Sequence, residues 1–335
     1  MIVLGIESSC DETAAAVVRD GKMLSNVIAT QIKDHSAFGG VVPEIASRKH
    51  LEAISPVIER ALADANLTLN GIEGIAVTRG PGLVGSLLVG LSTAKALAYA
   101  LGIPLAGVNH IEGHVMASFL SDEKPQFPFI ALVVSGGHTN VYLVNDYHQF
   151  CRLGQTRDDA AGEALDKAAR LLGLGYPGGV IIDKLSVNGN PEAYDFPRAM
   201  KDSSDFSFSG LKTSLLNMLK KRGRPFSDDE LPDVAASYQE AIVDVLVRKT
   251  VREGLVHNIR QLVVCGGVAA NSRLRHRFTE AARAEGMDLF IPPMVLCTDN
   301  AAMIAVLGEI ILKNRGGDPL DLNAVSRWPL VDCRP

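Results

Sequence analysis

The stretch His110-Ile111-Glu112-Gly113-His114 carries the most suggestive spacing in the chain. Two histidines four apart fall on one side of a helix, one turn above the other, and can offer two imidazoles to one metal ion. The zinc-protease pattern His-Glu-x-x-His puts its glutamate directly after the first histidine; here it comes one residue later. At about 100° per residue, Glu112 is rotated roughly 200° from His110, onto the opposite face. A carboxylate there cannot reach a water held between the imidazoles. The spacing therefore allows a metal pair and excludes the protease mechanism. It also suits two of the eight histidines that simply pack or cap.

The elements around this pair form a repeating pattern. Residues 2–6 read as a buried strand, Ser8-Ser9-Cys10-Asp11-Glu12-Thr13 as a small-residue turn, and 14–19 as a returning strand closed by the hairpin signal Asp20-Gly21. Such a bend presents backbone N–H groups that favour anions, phosphate above all, although a plain hairpin is the alternative. A third strand (23–30), a loop (35–44) and a helix (45–65) follow. A strand (72–78) then ends in Arg79-Gly80-Pro81-Gly82, a helix runs to about residue 100, and a strand (105–108) delivers Asn109 and the histidine helix. The second half repeats the order: strand 129–134, turn Ser135-Gly136-Gly137-His138-Thr139, strand 140–144, hairpin turn Asn145-Asp146, strand 149–153 and helix 159–172. This echo predicts two duplicated lobes whose turns grip the phosphates of one nucleotide from both sides of a cleft. Residues 178–268 read as mostly helical. A strand (262–265) then leads to Gly266-Gly267 at the mouth of a helix (272–285), where a flat ligand can lie against bare backbone. That segment reads as the adenosine end of the same site.

Bulk properties bound the function. At 335 residues the chain exceeds what one core usually supports, so two lobes are expected. The hydrophobic fraction of 47% and the charged fraction of 21% are those of an ordinary soluble protein. A net charge of −5 excludes coating nucleic acid by bulk electrostatics, so any such contact needs local basic patches or a partner. Five cysteines without a Cys-x-x-Cys pair suit reduced thiols in a cytosol. The amino terminus has no basic region and reads as no signal peptide. The apolar window 83–101 contains Lys95, Ser86, Ser92 and Thr93 and follows a Gly-Pro-Gly turn, so it reads as a buried helix. A cytoplasmic location is expected.

Seven blocks then carry a family resemblance: GIESSCDET (5–13), GGVVPEIASR (39–48), NHIEGH (109–114), VSGGHT (134–139), FSFSGLKT (206–213), CGGVAAN (265–271) and CTDN (297–300). In order, and over nearly the whole chain, they resemble the bacterial tRNA N6-adenosine threonylcarbamoyltransferases, once mislabelled glycoproteases. The resemblance implies an α/β, actin-like, sugar-kinase-like (ASKHA) fold of two duplicated lobes, 1–124 plus 299–335 and 125–298. It implies transfer of threonylcarbamoyl from threonylcarbamoyl-AMP to N6 of adenosine 37 in tRNAs reading ANN codons, with AMP released. ATP, ADP or AMP would occupy the same cleft. It further implies a divalent metal, Fe2+ or Zn2+, on His110, His114 and Asp299. Substrate contacts fall on Val133, Val134, Ser135, Gly136, Gly137, Asp166, Gly179, Asp183 and Asn271. A paralogous TsaB-type dimer partner and a small TsaE-type ATPase are the implied helpers. Ala301 departs from the family pattern, where glycine is expected; its methyl group would narrow the cleft slightly.

Each assignment has a plainer alternative. Asp299 at a helix start also reads as an N-cap. Asp166 also reads as a solvated charge, and Ser135-Gly136-Gly137 as a simple hairpin. Asp11 and Glu12 either cap their turn or orient the attacking amine and relay its proton. Lys220-Lys221-Arg222-Gly223-Arg224 and Arg273, Arg275 and Arg277 are either solvated helix faces or contacts to tRNA phosphates. A kinase or ATPase of the same fold is the alternative activity, and a non-catalytic nucleotide-binding subunit the third reading.

Overall fold

The computed structural model describes residues 1–330. Three antiparallel strands come first: β1 (Ile2–Glu7), β2 (Glu12–Arg19) and β3 (Lys22–Thr30). The turn between β2 and β3 has positive φ at both Asp20 (49°) and Gly21 (70°), the type I′ geometry whose twist matches a hairpin. A short helix α1 (Ile32–Ser36) occupies part of the stretch read as loop. Helix α2 (Pro43–Asp64) starts with proline at its first position, where the missing N–H costs no hydrogen bond. Strand β4 (Gly74–Gly80) joins β1 in parallel, α3 (Val84–Leu101) ends on left-handed Gly102, and β5 (Leu105–Asn109) joins β4 in parallel. Helix α4 (His110–Met116) carries the histidine pair.

The second half contains β6 (Phe129–Val134), β7 (Thr139–Asp146) and β8 (Gln149–Gln155), again antiparallel, then α5 (Ala161–Leu171), α6 (Gly178–Ser186), α7 (Ser209–Arg222) and α8 (Leu231–Val256). Strand β9 (Gln261–Cys265) pairs with β6 in parallel, α9 (Ser272–Glu285) follows, and β10 (Asp288–Phe290) pairs with β9 in parallel. The chain closes with α10 (Met294–Cys297) and α11 (Ala301–Arg315).

The strand orders are β3-β2-β1-β4-β5 and β10-β9-β6-β7-β8, with the same parallel and antiparallel pairings in corresponding positions. The duplication read from the sequence is thus a duplication of sheet topology. The β7–β8 turn lies at Tyr147-His148, after Asn145-Asp146 rather than on them, because Asp146 still pairs with Gln149. The chain separates into two units, Met1–Lys124 with Pro292–Leu330, and Pro125–Ile291. It re-enters the first unit at Pro292, ahead of the boundary at 299 read from the sequence.

In the first unit one face of the sheet, with Leu4, Ile6 and Val17, packs on Ile54 and Ile58 of α2 and Leu91, Ala94 and Ala98 of α3. Helix α11 packs against β1, β2 and β4. Helix α3 is long and apolar enough to cross a membrane, with 33% of its window buried. Ser86, Leu87, Gly90, Leu91, Ala94 and Ala98 are buried while Val84, Leu88 and Tyr99 are exposed, so it is a core helix buried along one face. Cys10, Cys265 and Cys297 are free. Cys333 lies outside the described residues.

Candidate functional site

The end of β5 and the start of α11 bring three residues of the first unit together. Asn109, at the end of β5, caps α4: its Oδ1 accepts from the N–H groups of Ile111 (2.9 Å) and Glu112 (3.4 Å). His110 and His114 then sit one turn apart with ring centroids 4.6 Å apart. Asp299 Oδ1 lies 3.1 Å from His114 Nε2 and 3.5 Å from His110 Nε2. One ligand atom from each residue falls within 4.8 Å of the others, close enough for one ion. Glu112 is not part of this cluster, as its angular offset requires.

The reading of Asp299 as an N-cap is corrected. Asn300 caps α11, its Oδ1 accepting from Met303 N at 3.0 Å. Asp299 is thereby left to face the histidines. Two glycines hold the helices close enough for this. A Cβ on Gly5 of β1 would lie 2.3 Å from the Ala301 carbonyl oxygen, and one on Gly113 would lie 2.9 Å from Ile304 Cδ1. Ala301 itself is fully buried in the first unit's core.

Glu7, which sequence reasoning passed over, turns the histidine pair into a built site. It is fully buried at the end of β1, with Oε2 2.9 Å from His110 Nδ1 and 2.6 Å from Thr78 Oγ1. Ser9 Oγ is 3.2 Å from the same His110 nitrogen. A carboxylate on Nδ1 fixes the ring and leaves Nε2 for a metal, the usual arrangement behind a ligating histidine. Burial alone would lower the His110 pKa, but Asp299 and Glu7 outweigh it and raise it to about 9. Burial alone would raise the Glu7 carboxyl, yet His110 and Thr78 hold it below the usual range. Two nitrogens and one carboxylate oxygen suit a first-row divalent ion. The signal was present in the sequence: a carboxylate closing an otherwise apolar strand.

The turn after β1 differs from the anion cradle expected. Ser8 and Ser9 are buried, Ser9 N–H donates to Glu7 Oε1 (2.5 Å), and Ser8 Oγ donates to the Ser86 carbonyl (2.8 Å). Ser8 and Ser9 spend these polar groups within the protein, and two carboxyls, Asp11 and Glu12, follow them in the turn. Burial is the main cause that raises both carboxyls, helped by the charge of Asp299 and, for Glu12, by that of Asp11; Glu12 is pushed up to about 8. Glu12 Oε1 accepts from Thr30 Oγ1, while its buried Oε2 has no hydrogen-bond partner.

In the second unit the turn after β6 is open. Val133 and Val134 are buried in β6, Ser135 N–H bonds the His138 carbonyl at 2.8 Å, and a Cβ on Gly136 or Gly137 would meet nothing within 4 Å. Gly162 at the start of α5 packs under this turn, its N–H on the Ser135 carbonyl. Asp166 is not a solvated charge: its Oδ1 accepts from Gly178 N (2.8 Å) and Gly179 N (3.3 Å), holding the start of α6. Asp183 accepts from Ser272 N–H and Oγ, and Asn271 caps α9 through Leu274 N while its amide donates to Gln239. Asp183, Gln239 and Ser272 also line a cavity of about 370 Å3 with Ser186, Arg273 and His276. All five arginines read as tRNA contacts have partners within the chain: Arg222 and Arg224 bond Glu230, Arg273 and Arg277 bond Glu240, and Arg275 bonds the Ala269 carbonyl. Lys220 and Lys221 are exposed.

Residues 22–306 match the family model described as tRNA N6-adenosine threonylcarbamoyltransferase. The chain belongs to that family. It is 66% identical over 331 residues, 98% of both chains, to the tRNA N6-adenosine threonylcarbamoyltransferase of Syntrophus aciditrophicus (strain SB). Among solved structures it resembles component A of (R)-2-hydroxyglutaryl-CoA dehydratase from Acidaminococcus fermentans, with a TM-score of 0.56 and 16% identity over 94% of this chain and 100% of that one. It also resembles the ROK hexokinase of Thermus thermophilus, with a TM-score of 0.50 and 19% identity over 94% and 100%. Those two likenesses are of fold, the actin-like and sugar-kinase-like fold. The family match and the named relative, not these likenesses, leave a small-molecule kinase or ATPase not favoured.

Proposed function

We propose that the protein transfers the threonylcarbamoyl group from threonylcarbamoyl-AMP to N6 of adenosine 37 in tRNAs reading ANN codons. The observation carrying this reading is the convergence of His110, His114 and Asp299 in a chain two-thirds identical to a named transferase. These residues would hold one divalent ion, Fe2+ or Zn2+. When bound, it supplies Lewis-acid polarisation of a ligand oxygen without redox chemistry. Glu7 keeps the His110 ring oriented, and the raised His110 pKa means that loading releases a proton.

The adenylate would lie on Val133, Val134, Ser135, Gly136 and Gly137, with Asp166, Gly179, Asp183 and Asn271 contacting its nucleoside part; ATP, ADP or AMP would fit the same residues. The open Gly136 and Gly137 backbone supports this placement. In the reaction the N6 amine attacks the carbamoyl carbon. The new C–N bond forms, the C–O bond to phosphate breaks, AMP leaves with its electron pair, and N6 loses a proton. Glu12, pushed up to about 8 and with an unpaired buried oxygen, and Asp11 beside it are the groups assigned to that proton, which either accepts in its ionised form. A TsaB-type partner and a TsaE-type ATPase complete the cytoplasmic system. The test is incubation with tRNA, bicarbonate, threonine, ATP and the partner proteins, followed by nucleoside analysis. Threonylcarbamoyl-adenosine that depends on this chain supports the reading; ATP-dependent phosphorylation of a small molecule with no modified adenosine overturns it.

A further inference from the structure

Residues after α11 run along the first unit as a strap. The strap starts at Asp318, whose N–H bonds the Leu105 carbonyl (2.7 Å) and whose Oδ2 accepts from Gly107 N (2.8 Å), on the outer edge of β5. Leu322 is buried in the core beneath the sheet, so the strap has an apolar anchor as well as polar ones. Further on, Arg79 Nε donates to the Asn323 carbonyl (2.9 Å), and Val325 N–H donates to the Arg79 carbonyl (2.9 Å). The Arg79 guanidinium then lies over the Trp328 ring, 5.3 Å from its centroid. At that point the Trp328 carbonyl accepts from Asn109 Nδ2 at 3.2 Å.

Asn109 thus faces two ways. Its Oδ1 caps the histidine helix and its amide nitrogen is tied to the strap. Asn109 is 1% exposed, so water does not readily replace a lost partner there. We infer that the strap is a positioning element for the metal centre, with Trp328 and Arg79 fixing Asn109 and Asn109 fixing the start of α4, and so the placement of His110 and His114 against Asp299. The inference rests on the metal reading above. It concerns the residues that set ligand geometry, since distances to a metal tolerate only about 0.2 Å of error.

The test uses Co2+ as the probe, in the full-length chain, followed by titration and by its visible absorption spectrum. Asn109→Ser keeps an uncharged capping oxygen but cannot reach the Trp328 carbonyl. Arg79→Met releases Trp328 without touching Asn109. Both are expected to weaken Co2+ binding by about 10-fold, in the range seen when partners of metal ligands are removed, and to change the absorption bands. Thermal melting of the metal-free chains separates this from a general loss of fold, because a chain that is merely less stable binds Co2+ normally below its melting temperature. If both variants bind Co2+ with wild-type affinity and spectrum, the strap has no positioning role. If the wild-type chain takes up no Co2+, the metal reading fails and takes this inference with it.

Discussion

Replacing Gly5 by alanine asks whether the metal centre depends on how closely α11 approaches β1. The added methyl would stand 2.3 Å from the Ala301 carbonyl oxygen and 2.8 Å from both Ala305 N and Ala305 Cβ. The nearest atom is backbone, so no side chain can swing aside. Restoring an ordinary 3.4 Å contact moves the start of α11 by about 1 Å. Asp299 precedes that helix by two residues and moves with it. Ligand distances tolerate about 0.2 Å, so a displacement of this size is expected to weaken divalent-metal affinity by about 10- to 100-fold. Overpacking adds about 1–3 kcal/mol of destabilisation. The assay is Zn2+ titration against a competing chelator, run well below a melting temperature measured on the same sample. A Gly5→Ala chain that melts earlier but binds Zn2+ as tightly as wild type refutes the reasoning, because the close approach would then serve stability alone.

Three further outcomes are expected. His110→Ala and His114→Ala should each lose the metal while keeping the far-ultraviolet circular dichroism of the wild type; retained stoichiometric metal in either one contradicts the ligand assignment. The Cβ that Gly136→Val adds meets nothing within 4 Å, so its melting temperature should stay within the shift caused by about 0.5 kcal/mol, while calorimetry shows weaker AMP binding; unchanged affinity removes the nucleotide from that turn. Glu12 binds its proton up to about pH 8 in the folded chain, against an ordinary 4.5. The folded state therefore holds more protons than the unfolded one between those values, and stability falls as pH rises through this window. In metal-free protein, Glu12→Gln should gain roughly 1–3 kcal/mol over wild type on going from pH 5 to pH 8.5. A difference that does not grow with pH means that Glu12 is not held protonated.

Where local signals coincide, the fold was legible. Asn271 followed by a helix, glycine-rich turns between alternating strands, and Asp20-Gly21 each specify their geometry within a few residues, and the helix 272–285 begins and ends where it was read. The duplicated strand order was legible because turn chemistry and apolar runs recur in both halves. Signals that needed a distant partner were not readable. Asn300 rather than Asp299 caps α11, because the two compete for one role and the histidines decide which is free. Gly5 and Gly113 owe their importance to Ala301 and Ile304, far along the chain. Likewise, Ser8 and Ser9 have the composition of an anion turn, but Glu7 and Ser86 take up their hydrogen bonds. The three-residue strand β10 is too short to carry a pattern of its own.

The most direct measurement starts from preformed threonylcarbamoyl-AMP and tRNA with the proposed TsaB-type partner present, and compares wild-type protein, metal-stripped protein, metal-reconstituted protein and Asp299→Ala, with metal content determined in each. About one ion per chain in wild type, with transfer to N6 of adenosine lost on stripping, restored on reconstitution and absent in Asp299→Ala, is the expected result. Undiminished transfer by metal-free protein or by Asp299→Ala would contradict it.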